Sequence, residues 1–108
     1  MSAPDLRASM PVRVRHPDAL FDLAAGDLVL LCAAKGAPPW GYSYGCPGCG
    51  ARCIMHLGEG SPGYTWHVTA GDAAHPEGVT VRASVLHAPQ YGGCGWHGYL
   101  TAGRWVPC

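Results

Sequence analysis

The chain has 108 residues, 48% of them hydrophobic and 13% charged, with seven basic residues balancing seven acidic ones. That length holds one small domain. Zero net charge removes the basic excess that captures nucleic acid or acidic lipid, and 16 glycines and 10 prolines argue against long helices and coiled coils.

Taken in chain order, residues 1–16 read as an extended arm with little periodicity. Residues 17–108 read as a single domain. No apolar segment precedes Pro17, so a signal peptide is not expected. His16 to Gly26 predicts one short N-terminal helix, with Pro17 at its first position and Gly26 as its stop. Asp27 to Ala33 is a compact apolar run, read as a buried strand. Its extension Leu28 to Ala34 is the longest apolar run and is too short to span a bilayer. Lys35 to Gly45 reads as a loop rich in rings, whose Trp40, Tyr42 and Tyr44 are candidates for contact with a partner.

From Ala51 the pattern turns to period two. Ala51, Cys53, Met55 and Leu57 share one predicted face, and Gly58 to Gly63 reads as a turn. Tyr64 to Thr69 alternates again, with Trp66 and Val68 together. Val79, Val81, Ala83 and Val85 share a face, and Ala102-Gly103 marks a two-residue hairpin between Trp96–Thr101 and Arg104–Val106. The predicted fold is mainly β, a small antiparallel sheet with a zinc-ribbon-like site.

Six cysteines and six histidines require a chemical reading. In a reducing cytosol, closely spaced cysteines bind metal more often than they pair. Cys46-Pro47-Gly48-Cys49-Gly50 and Cys94-Gly95-Trp96-His97-Gly98 each put two ligands three positions apart, followed by glycine. Brought together, Cys46, Cys49, Cys94 and His97 predict a closed Cys3His site holding one zinc per chain. His87 is the reserve ligand or a supporting partner, and Cys53 a competing thiol. Cys32 and Cys53 otherwise read as small core hydrophobes. His16, His56, His67 and His75 read as surface histidines.

The run His87, then Gly92 to Gly103, with Cys46 to Gly50 upstream and Trp66 between them, resembles a family of small uncharacterised metal-binding proteins of bacteria and tailed bacteriophages. The likeness covers roughly Gly45 to Cys108. Relatives carry a Ser-Pro-Ser stretch before the second metal turn; here Arg82-Ala83-Ser84 stands there and keeps only Ser84. The resemblance implies a zinc fold, and its phage members imply a virion or assembly role.

The leading expectation is therefore a non-catalytic zinc-stapled module that binds protein subunits of a larger assembly, with a homo-oligomer as one form of it, in a bacteriophage virion or the host cytoplasm. A closed zinc site returns about 10–16 kcal/mol of folding free energy, comparable to the stability of a whole domain. The alternative is a metal-dependent hydrolase, with an open zinc and Glu59, Glu77 or His87 as base. A third reading is a nucleic-acid-binding zinc ribbon using Arg7, Arg13 and Arg15, weakened by the zero net charge. No membrane partner is expected, and no Gly-x-Ser-x-Gly elbow is present.

Overall fold

The structure is a computed structural model and describes residues 9–58 and 65–108. Arg7, Glu59, most of the turn read at Gly58 to Gly63, and Tyr64 lie outside those residues.

Among the described residues, nine strands make two sheets. β1 (Met10–Pro11), β9 (Arg104–Pro107), β8 (His97–Thr101), β7 (Thr80–Leu86) and β6 (His67–Ala70) lie side by side in that order. The second sheet runs β2 (Arg13–Val14), β3 (Asp27–Cys32), β4 (Pro39–Gly45) and β5 (Arg52–His56). All pairs are antiparallel except β2 with β3. One core joins the sheets: Leu28, Tyr42, Tyr44 and Met55 from one side meet Val81, Val85, Leu100 and Trp105 from the other. The Tyr44 and Trp105 rings lie 4.9 Å apart between centroids, within the range of favourable aromatic packing. Mainly β is thus the observed class, as the alternation of Val79, Val81 and Val85 requires of a half-buried strand.

Two local expectations change. Where a short helix was predicted, a single 3-10 turn covers Pro17–Ala19. The buried Asp27 carboxylate accepts hydrogen bonds from the Ala24 N–H at 3.1 Å and from Arg15 at 2.9 Å. Gly26 turns the chain at φ 83°. These contacts draw the segment into a tight approach to β3, and Phe21 is left 82% exposed beneath the Arg52 guanidinium. The arm is also engaged within the fold: Met10 pairs with Trp105 and Arg13 with Asp27, so residues 10–14 are extended and belong to both sheets.

The loop predicted over Lys35 to Gly45 is largely strand β4. Tyr42 and Tyr44 are buried, so they are core side chains and not a partner surface; Trp40 alone stays partly exposed, packed near His56. The buried Tyr42 hydroxyl donates to the Ala73 carbonyl at 2.6 Å, and burial raises its pKa well above the ordinary tyrosine value. Cys32 ends β3 exposed, while Cys53 is half-buried beside the core. The Ala102-Gly103 hairpin forms as expected, with φ 48° and 73° at the two turn residues. Among the described residues, no helix is long and apolar enough to cross a membrane.

Candidate active site and metal centre

Cys46 closes β4 and opens a turn in which the Gly50 N–H donates to the Cys46 carbonyl at 2.8 Å. That turn points Cys46 and Cys49 to one side. Gly48 is needed inside it: a Cβ there would stand 2.7 Å from Cys94 Sγ and 2.8 Å from Trp96 Cβ. From the other sheet, β7 runs out into His87, and a short turn over Pro89–Tyr91 leads to Cys94. The His87 N–H donates to the Trp96 carbonyl and the Gly95 N–H to the His87 carbonyl, at 2.9 and 2.8 Å. Backbone contacts therefore fix His87 beside the second turn.

The result is a cluster of Cys46, Cys49, His87 and Cys94, whose ligand atoms all lie within 4.8 Å of one another. Cys46 and Cys94 Sγ are 3.5 Å apart, and Cys49 Sγ is 3.4 Å from His87 Nδ1. Tetrahedral zinc with Zn–S bonds of about 2.3 Å would hold sulfurs roughly 3.7 Å apart, so the donors and their spacing suit such an ion. Without a cation the thiols diverge. Burial pushes Cys46 up to about 12, against backbone hydrogen bonds from Gly48 and Cys49 that favour its thiolate. For Cys94 burial also acts upward, but the Trp96 N–H and hydrogen bonding with His87, Cys46 and Cys49 outweigh it, and the thiol falls to about 7. A metal ion would favour the deprotonated form of every thiol.

His97 does not join this group, and His87, the reserve ligand, stands in its place. The reason is strand alternation. Trp96, Gly98 and Leu100 face inward, with Trp96 buried edge-on against Trp105, so His97 and Tyr99 face outward. Cys53 also stays outside the cluster; its thiol meets the Ala51 carbonyl, and burial raises its pKa.

On the outward face His97 meets Ser84. Its Nε2 lies 3.0 Å from Ser84 Oγ. β7 is irregular here: Val81 pairs with Leu100 and Val85 with Gly98, so four positions on β7 answer two on β8. This bulge re-aims the side chains between them. Trp66 holds the other side of Ser84, its indole N–H donating to the Ser84 carbonyl at 3.0 Å. The pair opens on a cleft of about 510 Å³ lined by Thr65, Trp66, Leu86, Gln90 and Tyr91, among others. Among the described residues, no side-chain carboxylate is hydrogen-bonded to His97. In the sequence Ser84 stands only as the remnant of a motif, because its approach to His97 arises from the pairing of β7 with β8.

A model of the family described as "Bacterial ubiquitination-like system serine protease (BubE)" matches residues 15–108. No curated protein and no solved structure matches the chain. The family match overturns the expectation of a non-catalytic virion or assembly module and points to a protease-related role. It gives no support to the phage assignment. It is also consistent with the geometry, where a serine and a histidine meet in a cleft beside the thiol cluster, not inside it. Because the match spans nearly the whole chain, this protein belongs to the BubE family of bacterial ubiquitination-like system serine proteases.

Proposed function

We propose that the protein is a serine hydrolase acting on acyl bonds of a polypeptide substrate, with Ser84 as nucleophile and His97 as general base. The observation that carries this reading is the 3.0 Å approach of Ser84 Oγ to His97 Nε2 at the mouth of the apolar cleft. A serine hydroxyl is a weak nucleophile until a base within hydrogen-bond reach accepts its proton. His97 is that base.

Ser84 Oγ attacks the substrate carbonyl carbon as its proton passes to His97 Nε2. The tetrahedral intermediate collapses, the acyl–nitrogen or acyl–oxygen bond breaks, and His97 returns the proton to the leaving group. Water then attacks the acyl-serine with His97 again as base, releasing the acid and restoring Ser84. With no carboxylate bonded to His97 among the described residues, the strand sets where its side chain leaves the backbone and Ser84 is the ring's hydrogen-bond partner. The His97 carbonyl accepts from the Cys108 N–H at 3.0 Å, and His97 is paired in register with Leu86. Thr65, Gln90 and Tyr91 line the cleft and carry side-chain donors for the developing oxyanion.

Cys46, Cys49, His87 and Cys94 would hold a structural zinc. Bound there, the ion supplies folding free energy and no reacting ligand, because four protein donors complete a tetrahedron. His87 follows Ser84 by three residues, and Cys94 precedes His97 by three. The cluster thus pins the ends of the two strands that present the reacting pair. The family description ties its proteases to ubiquitination-like systems, so the substrate sought is a protein or conjugate of such a system.

The test is labelling with a fluorophosphonate, followed by peptide mapping. The expected adduct is on Ser84, and it is lost in Ser84→Ala and His97→Ala while both variants keep their metal and their thermal transition. An adduct elsewhere, or labelling that survives Ser84→Ala, would discard the assignment.

A further inference from the structure

We propose that Arg82 is a carboxylate-binding subsite of this hydrolase, so that the preferred substrate carries a carboxylate about two residues from the scissile bond. The proposal rests on the Ser84–His97 reading and names the substrate chemistry of that same site.

Arg82 and Ser84 flank Ala83 on β7, and Tyr99 and His97 flank Gly98 on β8. Ser84 reaches His97, and the Arg82 guanidinium lies over the Tyr99 ring, 4.7 Å from its centroid. Two cross-strand pairs therefore stand side by side on the outward face. On β8, whose register with β9 is continuous, the alternate residues Tyr99 and His97 stand roughly 7 Å apart, which is also the separation of alternate residues in an extended substrate.

The guanidinium is held in place from one edge. Its Nη1 donates to the Val81 carbonyl at 2.8 Å and to Thr101 Oγ1 at 3.2 Å. No hydrogen bond from Nε or Nη2, and no ion pair to Arg82, occurs among the described residues. An exposed guanidinium stacked on a ring, with one edge spent and a planar N–H fork left over, is preorganised for bidentate contact with a carboxylate. The cleft on the other side of Ser84 is walled by Trp66, Leu86 and Tyr91, and among the described residues no Asp, Glu, Lys or Arg lines it. Cation and cleft thus give the two sides of the reacting pair opposite chemistry.

The carboxylate can belong to the acyl side of the substrate or to the leaving side, as an acidic side chain or a chain terminus. Two pairs of model esters separate these sources. The acyl arm compares the para-nitrophenyl half-ester of adipic acid with para-nitrophenyl hexanoate. The leaving-group arm compares para-carboxyphenyl hexanoate with para-carbamoylphenyl hexanoate. In at least one arm the wild-type protein should favour the acid-bearing ester in kcat/KM. Arg82→Gln should cost that ester about tenfold while leaving its neutral partner unchanged, and Arg82→Lys should restore part of the loss. If neither arm shows a preference, or if Arg82→Gln slows acid and neutral esters alike, the subsite is refuted. Fluorophosphonate labelling separates the two failures. An unlabelled Ser84 in the wild-type protein overturns the reacting pair and Arg82's role with it, whereas a labelled Ser84 with indifferent esters overturns Arg82 alone.

Discussion

Cys46-Pro47-Gly48-Cys49-Gly50 and Cys94-Gly95-Trp96-His97-Gly98 share a spelling, yet they come to different ends. The first segment is a closed turn, and both its thiols join one cluster. The second is a turn only as far as Gly95, at φ 86°, and then becomes strand β8. Trp96 is the cause. Its ring is buried against Trp105, and once it points inward the next residue on the strand must point out. One segment thus supplies two thiols to the Cys3His cluster, while the other divides its pair between that cluster and a serine. Ligand spacing describes what a turn can do; the burial of the residue between the ligands decides whether it remains a turn.

The largest effect that would break this comparison comes from exchanging the two histidines' roles. Ser84→Ala and His97→Ala should each lower turnover by about three orders of magnitude or more, with metal content by elemental analysis unchanged. Loss of metal in His97→Ala would return His97 to the cluster and dissolve the distinction. Next, Cys94→Ser and His87→Ala should release the metal and lower stability by several kcal/mol. Because they loosen the strand ends that present Ser84 and His97, they should abolish labelling as well. Thermal unfolding with metal analysis reads the first effect, and the fluorophosphonate adduct the second.

A milder change sharpens the contact between the two turns. Gly48→Ala forces a methyl group against Cys94 and Trp96 and should cost about 1–3 kcal/mol, seen as a lowered Tm with metal still bound. Trp66→Phe removes the indole donor to the Ser84 carbonyl. It should reduce kcat several-fold with little change in Tm, since the ring volume is largely kept.

The smallest effect concerns protonation in the metal-stripped protein. Cys94 is lowered from 9.0 to about 7, against the upward pull of burial, by the Trp96 N–H and by hydrogen bonds with His87, Cys46 and Cys49. A depressed thiol favours the folded state at high pH. The contribution is complete above about 9, shrinks as pH falls towards 7 and is gone below it. Solvent screening at this exposed residue keeps it slight. Alkylation of Cys94 should rise through pH 7, while Cys46, pushed up to about 12 by burial, stays slow. Equal rates at the two thiols would remove this contrast.

Much of the sheet structure is legible in the sequence because period two is a direct imprint of a half-buried strand. Val79, Val81 and Val85, the Met55 strand and the Ala102-Gly103 hairpin all show it. β4 was obscured by Pro38-Pro39 and its glycines. Its ring–small–ring order from Trp40 to Gly45 carried the period, but both faces of that strand are buried and no polar face marks it. Ser84 and His97 sit on different strands, joined only through a bulge in β7, and no local spacing encodes a register shift. The fourth member of the cluster was legible only as the reserve ligand, for the related reason that His87 meets the thiols through backbone pairing with Trp96 and Gly95.

The pairing of Met10 with Trp105 has a consequence for how the molecule is made. Among the described strands, the first in chain order closes a sheet against the last, and Trp105 also anchors the turn at Gly26 through a 3.0 Å indole hydrogen bond. Such remote partners give a high contact order, so folding is slow beside that of a helical domain of equal size. On the ribosome, β1 waits without its mate until β9 has emerged. That sheet is completed only once β9 is available, and a chain truncated before β9 should lack the protease resistance of the finished protein.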